Sequence, residues 1–374
     1  MKVTIVNCFD TYEHRVDLLH SYFKENGYDV TVIQSNFRHF QKVKREEKKE
    51  DFIFIDTLPY YKNMSIDRMK SHYKFSKLAF KKVEEIKPDL LYVLIPANSL
   101  AKFAGAYKKK NKNVKLYFDL IDLWPETMPI GKMKSLPPFT LWRSLRDSYL
   151  NEADYVITEC DLYQEVLGER LKNIKTKTIY LARENKKFDS NTILCKDEIH
   201  LCYLGSINNI IDISTIKAVI EEINLFKPVT LHIIGDGESK NELISEVKSV
   251  GATVEYHGKI YDGKKKQEIF DKCHFGLNIM KNTVCVGLTM KSIDYFEGGL
   301  PIINNIQGDT MKIVKDYESG INLDETMLKE IVYKIVNYEV KEILRLKNNT
   351  RNTFERLFTV EQFNKNIQDV IKGC

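Results

Sequence analysis

VGLTMKSIDYFEGGLPIIN, residues 286–304, reads as one complete unit of α/β architecture. Gly287 opens a helical pattern that carries Lys291 and Asp294, and Gly298 and Gly299 close it. Pro301, Ile302, Ile303 and Asn304 then begin an apolar strand. A helix N-terminus with bare N–H groups is an anion site, and residues three apart on a helix share a face. One element therefore combines backbone donors for a diphosphate, a cation, and a carboxylate suited to a sugar hydroxyl. The plainer reading of the same residues is a helix with an exposed ion pair between two strands.

Outward from this unit the pattern repeats. IHLCYLG from Ile199, VTLHIIG from Val229, TVEYHG from Thr253 and FGLNIM from Phe275 precede it, and GINLD from Gly320 follows. In the first half the apolar runs are VTIVN from Val3, DVTVIQS from Asp29, DFIFIDT from Asp51 and LLYVLI from Leu90. VKLYFDLID from Val114, YVITEC from Tyr155 and TIYLA from Thr178 complete that set. Near-continuous apolar runs of this length suit parallel strands covered on both faces. Segments 15–26 and 68–86 carry apolar residues at helical spacing. Alternation of this kind predicts doubly wound α/β sheets.

The polar stretch 183–198 separates the two sets and is expected to be a linker. The expected domains are 1–185 and 199–355, with a closing amphipathic helix in 356–374 able to pack back on the first domain. Ligands of open α/β sheets bind outside the carboxyl ends of the strands. Gly205, Gly235 and Gly258 end three consecutive strands of the second set, where glycine lets a backbone approach a ligand.

The 374 residues, 43% hydrophobic and 29% charged, fit two globular domains. No apolar run approaches the roughly 18–20 residues that cross a bilayer. The start, MKVTIVNCFD, reads as a strand rather than a signal peptide. Seven cysteines without close pairing imply a reducing, cytoplasmic setting, and no Cys or His spacing implies zinc. The net charge of +5 is modest, and with no recognised motif it argues against a nucleic-acid partner. Residues 132–146 hold four cations and no acid, interleaved with Leu136, Phe139, Leu141, Trp142 and Leu145. That mixture suits peripheral contact with an anionic membrane, such as the inner face of the plasma membrane.

Two such halves resemble the GT-B glycosyltransferases, whose two Rossmann-like doubly wound domains face a central cleft. The motifs point to the family 4 retaining group, especially enzymes of bacterial capsule, O-antigen and exopolysaccharide synthesis. Lys291-Ser292-Ile293-Asp294-Tyr295 followed by Gly299-Leu300-Pro301 is similar to that group's Lys-x-x-Glu-Tyr and Gly-x-Pro pattern. LHIIGDGESKNEL from Leu231 is similar to its glycine turn, and DLIDLWPE, residues 119–126, to its Asp-x-Trp-Pro stretch. The resemblance spans essentially the whole chain. Asp294 stands for the second glutamate of the family's pair, and Val286 stands where the first would fall. The basic residue shortly after Gly205 is missing, as is a glycine-rich loop after the first strand.

The resemblance implies transfer of a hexose or N-acetylhexosamine from a UDP- or GDP-linked donor to a lipid-linked or oligosaccharide acceptor, with no cofactor or metal. Backbone amides of Gly287, Leu288 and Thr289, with Gly205 and Ser206, would cap the diphosphate. Lys291 or Lys281 would add charge, Asp294 would hold the ribose, and Lys259 or Ile260 would border the base. Asp122 is the expected catalytic carboxylate and Glu126 its alternative, while His14 and Arg15 would grip the acceptor. A two-domain nucleotide-sugar epimerase and a non-catalytic nucleotide-sugar binder are the competing readings. A dinucleotide oxidoreductase is disfavoured, because no Gly-x-Gly-x-x-Gly follows the first strand of either half.

Overall fold

The structure, a computed structural model, describes residues 1–62, 64–128, 130–186 and 192–373. Residues 187–191 of the expected linker thus lie outside the described residues. Among those described, the chain divides into two units, Met1–Ala182 with Phe363–Cys374, and Arg183–Gln362.

The first unit is built on β1 (Lys2–Asn7), β2 (Asp29–Ser35), β5 (Phe52–Ile55), β6 (Leu90–Ile95), β7 (Lys115–Leu120), β8 (Tyr155–Thr158) and β9 (Thr176–Thr178). A small antiparallel ribbon of β3 (Phe37–Arg38) and β4 (Val43–Lys44) lies outside that sheet. The sheet order is β5-β2-β1-β6-β7-β8-β9, all parallel. Such an order reverses direction between β1 and β6, as doubly wound folds do. Helices α1 (Glu13–Glu25), α2 (Ile66–Ile86), α3 (Asn98–Lys110), α4 (Pro137–Asp147) and α5 (Asp161–Leu167) connect the strands. Leu91, Val93 and Ile95 of β6 and Leu116 and Phe118 of β7 are fully buried, in one cluster with Phe75, Ala79, Ala101 and Ala104.

The second unit repeats the plan with β10 (Ile199–Leu204), β11 (Val229–Ile234), β12 (Thr253–Gly258), β13 (Phe275–Asn278), β14 (Ile302–Asn304) and β15 (Gly320–Asn322). Their order is β12-β11-β10-β13-β14-β15, again parallel throughout. Its helices are α6 (Ile213–Asn224), α7 (Lys240–Ser249), α8 (Gly263–Lys272), α9 (Met290–Glu297), α10 (Asp309–Tyr317), α11 (Leu328–Asn337) and α12 (Val340–Leu357). Leu201, Leu231, Phe275 and Leu277 from the strands bury against Ile216, Val219 and Ile220 of α6 and Val332 of α11.

The last helix, α13 (Val360–Lys372), returns to the first unit from Phe363 onward. There the Arg15 guanidinium lies 5.5 Å over the Phe363 ring, and Lys177 pairs with Asp369 at 2.8 Å.

Two expectations need correction. The run TIYLA suggests a strand running on from Thr178, yet β9 ends at that residue. There the Ile179 amide still donates to Thr158 of β8 at 2.9 Å, but its carbonyl turns to accept from Arg15 Nη1 at 2.9 Å. Gly235 suggests ligand approach, but its missing side chain makes room for protein. A Cβ there would sit 1.9 Å from the Gly205 carbonyl oxygen, so the two strand ends pack backbone on backbone.

Candidate functional site

The second sheet changes winding direction between β10 and β13, and a cavity of about 640 Å³ opens beyond the carboxyl ends of those strands. Gly205 and Ser206 line it after β10, Met280 after β13, Ile260 and Tyr261 after β12, and Thr289, Lys291 and Asp294 from α9. The sequence expectation opens α9 at Gly287; the helix begins instead at Met290. Thr289 is its cap, with its hydroxyl accepting from the Ser292 amide at 3.1 Å. This is ordinary capping of an otherwise orphaned amide. Gly298 closes the helix, donating to the Asp294 carbonyl at 3.1 Å.

Tyr295 fixes the orientation of α9. Its buried hydroxyl accepts from the Leu204 amide at 2.8 Å and donates to the Cys202 carbonyl at 3.1 Å. Gly276 leaves space for that ring, since a Cβ there would come within 2.7 Å of it. With Tyr295 turned into the sheet, Lys291 and Asp294 turn into the cavity. The glycine-opened loop is tied down as well, because Thr310 donates to the Gly287 carbonyl through both its amide and its hydroxyl.

The electrostatics of the cavity are unbalanced. Asp294 does not pair with Lys291. It accepts from Arg183 Nη1 at 2.7 Å and Nη2 at 3.3 Å, and from Lys266 Nζ at 2.7 Å. Burial opposes its ionisation, but these two cations hold the carboxyl below its usual range. Lys291 lies 5.1 Å over the Tyr203 ring, and among the described residues it has no carboxylate partner. Burial without a counter-charge pushes its ammonium down to about 8. Three cations thus share the cavity with one carboxylate.

Of the expected donor residues, the cavity brings together Gly205, Ser206, Ile260, Thr289, Lys291 and Asp294. It does not bring in Gly287, Leu288, Lys259 or Lys281; the last two are exposed. Arg183 and Lys266 are not among the expected residues. Arg183 falls in the expected linker, yet its backbone is fastened to Phe358 and Val360 by hydrogen bonds of 2.8 and 3.2 Å. Lys266 ends a run of three lysines at the start of α8, where nothing local distinguishes it from its neighbours.

The expected residues of the first unit are held in structural pairs. Arg15 is 1% exposed and donates to both oxygens of the fully buried Asp119, at 2.7 and 2.9 Å. Its guanidinium is committed within the fold, and the expectation that it grips an acceptor is corrected. His14 is exposed, and its Nε2 lies 2.7 Å from the Ala182 carbonyl. Glu126 is likewise committed: the buried Arg146 guanidinium binds both its oxygens, at 2.8 and 3.2 Å, tying its turn to α4.

Asp122 follows the end of β7 and accepts from the Leu123 amide, Trp124 Nε1 and the Thr127 hydroxyl at 2.8, 2.6 and 2.5 Å. Tyr12 OH reaches the same carboxylate at 3.5 Å. Burial raises the Asp122 carboxyl above its usual range, against the pull of these donors. Glu159, beyond the end of neighbouring β8, carries no signal in the sequence. Burial pushes its carboxyl up to about 8, partly opposed by Arg15.

No protein-family model matches this chain, and no curated protein matches it in sequence. Solved structures do match. Sucrose-phosphate synthase of Thermosynechococcus elongatus aligns over 100% of this chain and 98% of its own, with a TM-score of 0.70 at 15% identity. HepE of Anabaena in complex with UDP aligns over 100% of both chains, with a TM-score of 0.69 at 12% identity. The lipopolysaccharide outer core galactosyltransferase WaaB, in its apo form, aligns over 100% of this chain and 99% of its own, with a TM-score of 0.69 at 13% identity. The fold is GT-B. The two doubly wound units are the Rossmann-like domains of that fold, and the cation-rich cavity belongs to the second.

Proposed function

We propose that this GT-B chain is a glycosyltransferase that draws its sugar from a nucleotide-sugar, UDP-linked in the first instance. The observation that carries the reading is Lys291, a half-buried cation without a carboxylate partner among the described residues, in a cavity it shares with Arg183 and Lys266. A diphosphate is a dianionic ligand that such a site would neutralise. As the donor bond breaks, negative charge grows on the leaving diphosphate, and fixed cations stabilise it. In this reading Lys291 and Lys266 meet the phosphates, and the Gly205 and Ser206 amides approach from the facing loop. Asp294 orients Arg183 and accepts from the ribose, and Ile260 and Tyr261 border the base. The complex of HepE with UDP supports that choice of base.

Finer features belong to the same proposal. The Lys-x-x-Asp-Tyr motif supports a retaining outcome, with Asp122 directed to a sugar or acceptor hydroxyl. A saccharide on a lipid carrier, in surface-polysaccharide synthesis at the cytoplasmic face of the plasma membrane, is the proposed acceptor. Met133, Leu136 and Leu141 are 48%, 49% and 68% exposed beside Lys132 and Arg143, which supports peripheral membrane contact there. Among the described residues, no helix is long and apolar enough to cross a membrane.

Calorimetric titration with UDP, GDP, ADP and their sugar conjugates tests the donor reading. Selective binding of one nucleoside diphosphate, weakened in Asp294→Ala, is the expected result. Absence of binding by every one of them would sink it. Product anomeric configuration by NMR then tests retention.

A further inference from the structure

Four histidines lie in a row across the second sheet, away from the cavity. His200 is on β10, His232 on β11, His257 on β12, and His274 just before β13. Their rings stack in sequence: His274 on His200 at 6.2 Å, His200 on His232 at 5.2 Å, and His232 on His257 at 5.4 Å. The outer end of this row is the informative part. β12 is the edge strand, and its register against β11 shifts after Ile233. His232 pairs with Glu255, Ile233 with Tyr256 and Ile234 with Gly258, which leaves His257 as the extra residue of a bulge. Bulges re-aim side chains at sheet edges.

The result is a triangle of ligand atoms. His232 Nδ1 lies 3.2 Å from Glu255 Oε2 and 3.1 Å from His257 Nε2, and His257 Nε2 lies 3.8 Å from Glu255 Oε2. Zinc bonds to imidazole nitrogen of about 2.0–2.1 Å, set tetrahedrally, separate ligand atoms by about 3.3 Å. The three edges bracket that spacing. We propose that His232, Glu255 and His257 form a three-ligand site for a divalent transition cation of the zinc class, at the edge of the second sheet.

The surroundings fit. His232 is almost fully buried, whereas Glu255 and His257 are 52% and 25% exposed, so the triangle is walled on one side and open on the other. An ion enters from the open side, and water completes its coordination. With the ion on Nδ1, the His232 proton sits on Nε2 and donates to His200 Nδ1, 2.9 Å away. The His200 proton then sits on Nε2, facing Glu198 Oε2 at 3.5 Å. A hydrogen-bonded second layer of this kind fixes tautomer and ring orientation at metal sites. Glu198 and Glu255 together outweigh the Lys272 ammonium that also faces these rings. The ion ties β12 to β11 a few residues before the chain reaches Ile260 and Tyr261. The site does not depend on what the cavity binds.

The test titrates the metal-free full chain with Co²⁺, read by its visible d–d absorption, and with Zn²⁺ in competition with a chromophoric chelator. Wild type is expected to take up one equivalent with tetrahedral cobalt bands. His257→Gln and Glu255→Gln are each expected to weaken binding at least about tenfold. Cys195→Ser, which removes an exposed thiol, is expected to change nothing. Glu255 lies at the surface, so its glutamine variant stays informative if His257→Gln fails to fold; thermal melts check both. Absence of stoichiometric binding, or wild-type affinity in both ligand variants, would overturn the proposal and leave a hydrogen-bonded histidine ladder.

Discussion

Both sheets end in polar groups at their carboxyl edges, but the two edges handle charge in opposite ways. In the first unit the ions named above are matched, while the buried Arg68 guanidinium lies over the Phe9, Tyr60 and Trp124 rings. Arg15 binds Asp119, Arg146 binds Glu126, Asp122 is ringed by donors, and burial pushes Glu159 toward its neutral form. In the second unit Asp294 is shared by Arg183 and Lys266, and Lys291 has no carboxylate among the described residues. Buried pairs with complete hydrogen bonding are compatible with a purely structural role. A desolvated cation without a partner costs stability, and groups of that kind cluster where ligands bind. The same residue types therefore serve architecture at one edge and the proposed binding site at the other.

The contrast can be broken most forcefully at Asp119. Asp119→Ala leaves Arg15 charged and buried, and should destabilise the protein by about 3–5 kcal/mol in urea unfolding. A loss below about 1 kcal/mol would mean that the buried pair is not what it seems. Glu159→Gln should act in the other direction and by less. The folded carboxyl titrates at about 8 against an ordinary value of 4.5, so the native state binds the extra proton between those limits. Stability from this group is present at low pH and is lost as pH rises through 8. Melting temperatures across that range should fall less steeply in the variant.

Lys291→Ala sharpens the comparison from the other side. Nucleoside diphosphate affinity should weaken about 10- to 100-fold, the effect of one charge-assisted bond, while the melting temperature holds or rises. The smallest effect is the pH dependence of binding. The Lys291 ammonium titrates near 8 in the free protein, so affinity should decline as pH rises above that value. Lys291→Arg, which stays charged, should flatten the decline; an unchanged profile would remove Lys291 from the phosphate site.

Much of the architecture was legible in the chain. Runs such as LLYVLI and VTLHIIG became the buried parallel strands β6 and β11. The pair Gly298-Gly299 closed α9 before the strand that contains Ile302, as its spacing implied. The loop at 286–289 was less legible, because Thr289 competed with Gly287 as the start of the helix and a capping hydroxyl won. Site residues divided by the distance over which they act. Gly205, Ser206, Thr289, Lys291 and Asp294 sit at motif positions and line the cavity. Arg183 and Lys266 carry no local mark, since their partner is 111 and 28 residues away in sequence. Arg15 misled for the same reason: its charge suggested a ligand, and its partner Asp119 lies 104 residues on.

By itself the sequence determined the alternation of strand and helix, and therefore two doubly wound sheets. Apolar periodicity and glycine punctuation act over a few residues and are written in consecutive letters. Only the tertiary structure decided which ions are neutralised and which, like Lys291, have no carboxylate beside them among the described residues. Charge pairing depends on distances of about 3 Å between side chains far apart along the chain, and no local pattern encodes them.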